Sequence, residues 1–230
     1  FKAFYDSGLP GFIGGIILSF GFCGYVFAMY NTTVANTNFI ISLQILFLAI
    51  FGYIFLKEKI NAVTLTSIVL AMTGVLVMVG NSLSPGEFSG NLAAFTMPIT
   101  FAVLIMIVRK YPSVDMVPAQ FIAGVSSCLI GFILSTKIMI SPHDIFLGFL
   151  AGFFQVGFGF IFITIGARTT PSAMVGIIML SESVLGPIWA FLFVSERPST
   201  FGLIGGAIIL SAVLLQFYSL LNKSKKSVSH

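Results

Sequence analysis

The sequence has few charged residues, and this shortage excludes an ordinary soluble domain. Only 8% of its 230 residues are Asp, Glu, Lys or Arg, whereas soluble domains carry about 25%. The two cysteines, Cys23 and Cys128, lie inside apolar stretches and form neither a disulfide framework nor a metal motif. The net charge of +4 comes from basic residues scattered over short loops and a tail, with no patch that could follow phosphates. We therefore predict no nucleic-acid partner.

The sequence also lacks the residue sets that catalytic centres and metal sites need. Its two histidines, His143 and His230, belong to no HExxH motif, and no pair of carboxylates falls within an apolar stretch. We predict that the protein is not an enzyme and that it has no catalytic residue, no metal site and no cofactor.

Long apolar stretches make up most of the chain. Hydrophobic residues account for 57% of it and the mean hydropathy is +1.08, while about 20 apolar residues suffice for a helix to cross a bilayer. The runs are continuous instead of alternating, which favours helices over barrel strands. The predicted fold class is an all-α polytopic membrane protein in contact with lipid. Its eight predicted spans cover residues 10–30, 34–56, 62–80, 90–108, 116–136, 145–167, 171–194 and 200–221.

Basic residues at the ends of these spans set the predicted orientation. Cytoplasmic loops carry an excess of Lys and Arg, and the side that holds the C-terminal tail has nine such residues against two. We therefore expect both ends of the chain to be cytoplasmic, in a bacterial inner membrane. The nine are Lys2, Lys57, Lys59, Arg109, Lys110, Arg168, Lys223, Lys225 and Lys226, and the two are Lys137 and Arg197.

The chain repeats itself at an offset of 138 residues, without a gap from Gly14 to Leu76. Apolar identities arise by chance, so the matched loops 57–59 and 195–197, each with a central glutamate, carry more weight. The two loops are predicted on opposite sides of the membrane, which makes the repeat inverted. Inverted repeats are typical of secondary transporters, whose substrate site lies near the midplane between the halves.

The repeat also predicts how the chain is divided. Residues 1–81 correspond to the last three helices of a first repeat, residues 82–222 to a complete second repeat of five helices, and residues 223–230 to a basic cytoplasmic tail. Two further helices are then expected before the first copy, in a bundle of five plus five helices.

Glu182 is the most informative single residue. It lies near the middle of 171–194, and no other Asp, Glu, Lys or Arg lies within any of the eight spans. A carboxylate at that depth costs roughly 2.5–3.5 kcal/mol, so we favour a function in binding substrate or a proton. The alternative is a protonated side chain that only bonds a neighbouring helix.

The repeat pairs Glu182 with Gln44, and two polar groups near the midplane are what a binding site requires. The alternative for Gln44 is an interhelical hydrogen bond worth about 0.6 kcal/mol. Further candidates for substrate binding are Asn38, Ser42, Gln155, Tyr25 and Trp189. Packing is the commoner role for the first four, and Trp189 is alternatively an interfacial anchor.

Two prolines inside the spans are candidate hinges. Pro187 leaves the carbonyl of Ser183 without its helical donor, and Pro98 interrupts the span 90–108. Glu58 and Glu196 sit beside basic residues in the two matched loops, and we expect both to tie helix ends together at the water interface.

Two segments resemble a known family. The stretch from Ala35 to Leu43, followed by Phe55-Leu-Lys-Glu-Lys-Ile60, resembles the fourth helix of an EamA domain and the turn after it. The stretch Leu180-Ser-Glu-Ser-Val-Leu-Gly-Pro-Ile-Trp189, with Phe193-Val-Ser-Glu-Arg-Pro198, resembles the ninth helix and its turn. The whole chain is similar to helices three to ten of the drug/metabolite transporter superfamily.

The resemblance implies a ten-helix bundle with a central cavity, with 62–80 and 200–221 at its periphery, and alternating-access transport of small metabolites, often amino acids. The residues add that no Lys or Arg lies within a span, which disfavours phosphorylated substrates. A lone carboxylate suits an amine, a cation or a coupling proton. We therefore predict a secondary transporter, an exporter of amino acids or amines with proton coupling. A non-transporting membrane subunit or scaffold is the alternative, ahead of an intramembrane enzyme.

The last predicted span carries Gly202 and Gly206, a small-xxx-small pair. Such a pair is compatible with a homodimer face, although packing inside one chain is the commoner outcome.

Overall fold

The computed structural model describes residues 2–32, 34–79, 88–135, 141–182, 185, 192 and 200–228. Every regular element in this part of the chain is helical, which confirms the predicted fold class. The elements are α1 Lys2–Asn31, α2 Val34–Ser42, α3 Gln44–Leu56, α4 Ala62–Val79, α5 Phe88–Ala94, α6 Thr96–Lys110, α7 Val117–Leu134, α8 Pro142–Leu150, a π-helical segment Ala151–Phe158, α9 Gly159–Ala167, α10 Ser172–Met179 and α11 Thr200–Val228.

Six helical stretches in the described residues are long and apolar enough to cross a membrane. They are Ala3–Asn31, Asn36–Leu56, Phe88–Lys110, Val117–Leu134, Pro142–Ala167 and Thr200–Ser219. The predicted span 62–80 corresponds to the shorter apolar helix Ala62–Val77. Only part of the predicted span 171–194 is described, so it is seen as α10 and the residues just after it.

The first helix begins earlier than the predicted span 10–30. It starts at Lys2 and includes a kink at Gly8, whose φ of 53° lies in the left-handed region that glycine adopts without steric cost. Pro10 follows two residues later and has no N–H to donate to the preceding turn. The kink thus separates a first part that carries Lys2 and Asp6 from the apolar part predicted as 10–30.

Two large apolar cores hold most of the helices together, and a third, smaller one joins α1, α2 and α5. The first gathers α1, α3, α6, α7, α9 and α10 around fully buried residues such as Leu18, Leu48 and Phe101. The second joins α3 and α10 to the pair α4 and α11 through Ile45, Ile177 and other buried residues. Because α3 and α10 contribute to both cores, they form the centre of the bundle.

Helices α4 and α11 pack closely along one side of this centre. A Cβ added to Gly74 would lie 2.8 Å from the carbonyl oxygen of Gly205, so the absence of a side chain lets the two backbones approach. Gly206 is buried and Gly202 is half-buried within the chain. The homodimer face suggested by these glycines remains a prediction.

Candidate functional site

The predicted span 34–56 is interrupted at Leu43, between α2 and α3. The N–H of Leu43 donates to the carbonyl of Ile40 at 3.1 Å, and the N–H of Leu46 donates to the carbonyl of Leu43 at 2.9 Å. These three-residue bonds make a tight turn within the helix. The Ser42 hydroxyl donates to the carbonyl of Phe39 at 2.6 Å, a local bond of the kind that bends helices.

The second central helix is interrupted in the same way. Helix α10 ends at Met179, Leu180 forms a turn, and residues 181–182 are helical again. The Ser181 hydroxyl donates to the carbonyl of Ile178 at 2.6 Å. Leu43 has φ −64° and ψ −8°, and Leu180 has φ −64° and ψ −15°. Adding the repeat offset of 138 to position 43 gives 181, so the two interruptions lie within one residue of equivalence.

Helices α3 and α10 touch next to these interruptions. A Cβ added to Gly176 would lie 2.8 Å from the Cα of Ile45 and 3.1 Å from a methyl carbon of Leu48. Gln44 precedes Ile45 and is buried, with 6% of its surface exposed. The buried amide therefore lies on the residue next to the closest approach of the two helices.

Glu182 follows the interruption at Leu180 in the chain. Its side chain is exposed, since the described residues do not cover it. Its carboxylate interacts electrostatically with the hydroxyl of Tyr25, which is half-buried on α1. Two of the predicted site residues, from distant parts of the sequence, are thus within electrostatic range of each other. A carboxylate offers an acceptor for an ammonium group, and a phenol offers a donor for a second polar group.

The remaining predicted residues are placed less favourably for a common site. Asn38 is exposed, whereas Ser42 is buried with its hydroxyl bonded to its own helix. Gln155 belongs to the π-helical segment, but its side chain is outside the described part, as are Trp189 and Pro187. Pro98 is buried in α6, three residues after an interruption at Phe95. A role for any of these residues in binding or hinge motion stays a prediction.

The loops 57–61, 109–116 and 168–171 meet at one end of the bundle, which we name the basic end. Here Arg109 forms an ion pair with Glu58 through its Nε and also donates from Nη1 to the carbonyl of Thr170. The backbone N–H of Ser172 donates to Glu58 Oε2 at 2.8 Å, and the Ser172 hydroxyl donates to Oε1 at 3.3 Å. Only 15% of the Glu58 side chain is exposed. One carboxylate therefore joins the ends of α3, α6 and α10.

Local backbone geometry aims Glu58 at this junction. Lys57, with φ 54°, ends α3 in the left-handed conformation and turns the chain back so that the N–H of Glu58 donates to the carbonyl of Gly52 at 3.0 Å. A Cβ on Gly52 would lie 2.8 Å from Glu58 Oε2, so glycine makes room for the carboxylate. Pro171, at the N-cap of α10, has no polar side chain, and Glu58 supplies the anionic cap that a helix N-terminus favours.

From the sequence, Arg109 is only one of the basic residues that predict the orientation in the membrane, and Ser172 has no predicted role. The predicted interfacial tie by Glu58 agrees with its contacts here, while Glu196 lies outside the described residues. Arg109 and Ser172 lie 51 and 114 residues from Glu58 in the sequence. No local sequence pattern links residues so far apart, so only the fold reveals these contacts.

A second ion pair at the basic end joins residues that both follow α6 in the chain. Arg168 Nη2 lies 2.8 Å from Asp115 Oδ1, and the same oxygen accepts the N–H of Val117 at 3.1 Å, which caps α7. Asp115 is 47% exposed, so this pair contributes little to stability.

A cavity of about 90 Å³ lies beside Glu58, between the loop 57–61, the start of α10 and α11. Thr64 donates from its N–H to Asn61 Oδ1 at 2.8 Å, and Gln216 donates from Nε2 to the Thr64 hydroxyl at 3.3 Å. Within the described chain, the buried Gln216 Oε1 has no partner. A polar cavity of this size suits a few water molecules.

Comparison with known proteins gives the family of the chain. The family model of the EamA-like transporter family matches residues 4–80 and 84–218. An uncharacterized transporter of Methanothermobacter thermautotrophicus is 27% identical over 207 residues, a match that covers 82% of this chain and 58% of that protein. The chain thus spans a little over half the length of this curated relative.

A solved crystal structure of a protein resembles the fold with a TM-score of 0.77 at 19% identity. The match covers 90% of this chain and 74% of the other. At this level of identity the likeness concerns the fold alone.

Proposed function

We propose, since the chain belongs to the EamA-like transporter family, that it takes part in the export of small metabolites such as amino acids or amines by alternating access. It would act as a secondary transporter in the plasma membrane, with the basic end of the bundle in the cytoplasm. The excess of Lys and Arg at that end supports this orientation.

The observation that carries this proposal is the pair of interrupted central helices. Interrupted helices near the bilayer midplane, related by an inverted repeat, are the usual location of substrate sites in secondary transporters. Here each interruption is followed within two residues by a candidate binding residue, Gln44 after Leu43 and Glu182 after Leu180. Irregular backbone at membrane depth is tolerated where it lines a cavity, which favours a site at this level.

The charges favour an amine over a phosphorylated substrate. Arg109 lies at the end of α6 and its guanidinium is paired with Glu58. Glu182 instead presents an exposed carboxylate, with the Tyr25 hydroxyl in electrostatic range. An ammonium group suits such a pair, and a proton that competes with it for the carboxylate would couple export to a proton gradient.

Substitution of Glu182 by Gln tests both parts of the proposal. The complete protein, reconstituted in proteoliposomes with an imposed pH gradient, should transport a member of a panel of amino acids and amines. E182Q keeps the size of the side chain but removes its charge, so we expect transport of an amine to fall by at least about tenfold, since a lost charged hydrogen bond is worth about 1.5–3 kcal/mol. The pH-gradient dependence should disappear with it.

Asp6→Asn provides the matched control, because it removes another exposed carboxylate, on the first turns of α1. Its transport should equal that of the unaltered protein. Equal activity and equal pH dependence in E182Q would refute a binding role for Glu182. A folded protein that transports no member of the panel would favour the non-transporting subunit.

A further inference from the structure

We propose that Glu58 is the latch of a cytoplasmic gate, a proposal that rests on the proposed transport function. In the structure its carboxylate holds the basic end of the pathway closed by joining α3 to α10. Access from the cytoplasm requires that the carboxylate release Ser172 and Arg109.

The latch connects the two family-matched ranges of the chain. Glu58 lies in 4–80, while Arg109 and Ser172, which bind it, lie in 84–218. Movement of one range against the other at this end must therefore break these bonds. The Asp115–Arg168 pair at the same end lies wholly within 84–218 and is not subject to this requirement.

Beside the latch, the central helices α3 and α10 pack too closely to leave a passage between them. Next to it, a Cβ on Gly52 would lie 3.1 Å from the Cβ of Ser172, and further along, a Cβ on Gly176 would lie 2.8 Å from the Cα of Ile45. Leu48, between these two contacts, is fully buried. Past the second contact both helices are interrupted and Glu182 is exposed. Among the described residues, the close contacts of the seam between α3 and α10 thus lie on its basic side.

The bonds of the latch are suited to reversible opening. They are polar, they lie at helix ends, and the cavity of about 90 Å³ beside Glu58 admits water that can replace them as they break. A seam closed by interlocked apolar side chains would expose those side chains on opening. At the latch itself, the residues in contact with Glu58 are the polar Arg109 and the small residues Gly52 and Ser172.

Accessibility of a buried position distinguishes a gate from a simple helix cap. In the complete protein, with Cys23 and Cys128 replaced by serine, Leu48→Cys places a thiol between the latch and the closest approach of α3 and α10. Inside-out and right-side-out membrane vesicles are then treated with a membrane-impermeant maleimide. The rate of labelling reports opening at either side whether or not a substrate is known.

Glu58→Gln should raise the labelling rate in inside-out vesicles by about tenfold, as expected for loss of one charge-assisted bond. Arg109→Gln, which leaves the Ser172 bond in place, should raise it less and provides a second test if E58Q folds poorly. Asp115→Asn is the matched control and should leave the rate unchanged.

Unchanged labelling in folded E58Q and R109Q would overturn the latch, and so would an equal increase in D115N. Transport by the unaltered protein is measured separately. If E58Q raises the labelling rate but the unaltered protein transports no substrate, the latch proposal stands and the transport proposal fails. If the protein transports a substrate but labelling in E58Q and R109Q is unchanged, the transport proposal stands and the latch proposal fails.

Discussion

A single methyl group at Gly176 would push the two central helices apart. Its Cβ would lie 2.8 Å from a backbone atom of α3, the Cα of Ile45, and a backbone atom cannot turn aside as a flexible side chain can. Gly176→Ala should therefore lower the free energy of unfolding by about 1–3 kcal/mol, the usual cost of overpacking. Thermal denaturation of the detergent-solubilised protein measures this.

Gly166→Ala is the control, since a Cβ at Gly166 on α9 would meet no atom within 4 Å among the described residues. It should be neutral or slightly stabilising, because alanine favours helix over glycine by about 1 kcal/mol. Equal destabilisation by both substitutions would show that the α3–α10 contact has no special tightness.

At the same scale, the sequence singles out Glu182 and Gln44 as candidates, but it does not predict whether each side chain is buried or exposed. Their pairing follows from the repeat, and their location in the chain is enough to select them. The burial of Gln44 and the exposure of Glu182 depend on which neighbours cover each position, and periodicity cannot supply that when every face of a span is apolar.

At the scale of elements, the interruption at Phe95 is attributable to Pro98. The missing N–H of Pro98 leaves the carbonyl of Ala94 without its usual donor, and α5 ends at Ala94. Pro98→Ala should join α5 to α6 and raise the free energy of unfolding by up to about 3 kcal/mol. If the proline is a hinge, the transport rate should fall in the same variant. Thermal denaturation and transport assays measure the two effects.

Pro118→Ala is the matched control for this pair of effects. Pro118 stands at the start of α7, where the backbone N–H has no helical acceptor, so the substitution should change neither quantity. A stabilised P98A that transports at the normal rate would argue against the hinge.

The interruption at Leu43 could not be predicted in the same way. No proline or glycine lies near it, and no charged residue lies between 34 and 56. It accompanies a bond from the Ser42 hydroxyl to the chain, and serine occurs in many straight helices. The π-helical segment Ala151–Phe158 likewise has no signature that the apolar pattern of 145–167 reveals.

At the scale of the whole molecule, the two copies of the repeat differ in packing. Gly14 and Gly21 on α1 would each bring a Cβ to 3.3 Å or less from side chains of α6. Their equivalents Gly152 and Gly159 would meet nothing within 4 Å in the described part. Among the described residues, Gly152 and Gly159 are thus left uncovered, which the symmetry of the sequence does not predict.

The orientation of the molecule is testable with two exposed positions. Lys110 lies at the basic end of the bundle. Tyr30 lies near the last residue of α1, at the opposite end of the bundle, and 87% of the Tyr30 surface is exposed. In a background without Cys23 and Cys128, Lys110→Cys should react with an impermeant maleimide only from the cytoplasm, and Tyr30→Cys only from outside. The opposite pattern would reverse the orientation inferred from the positive charges.

The backbone conformation at position 57, more than the charge of its side chain, restricts which residues can occupy it. The turn after α3 needs a residue that accepts a left-handed conformation, as Lys57 does with φ 54°. Glycine and asparagine accept it at least as easily, whereas β-branched residues resist it. Diverging copies of this turn can therefore exchange lysine for glycine or asparagine and keep Glu58 directed at α10, while valine or isoleucine would redirect the carboxylate.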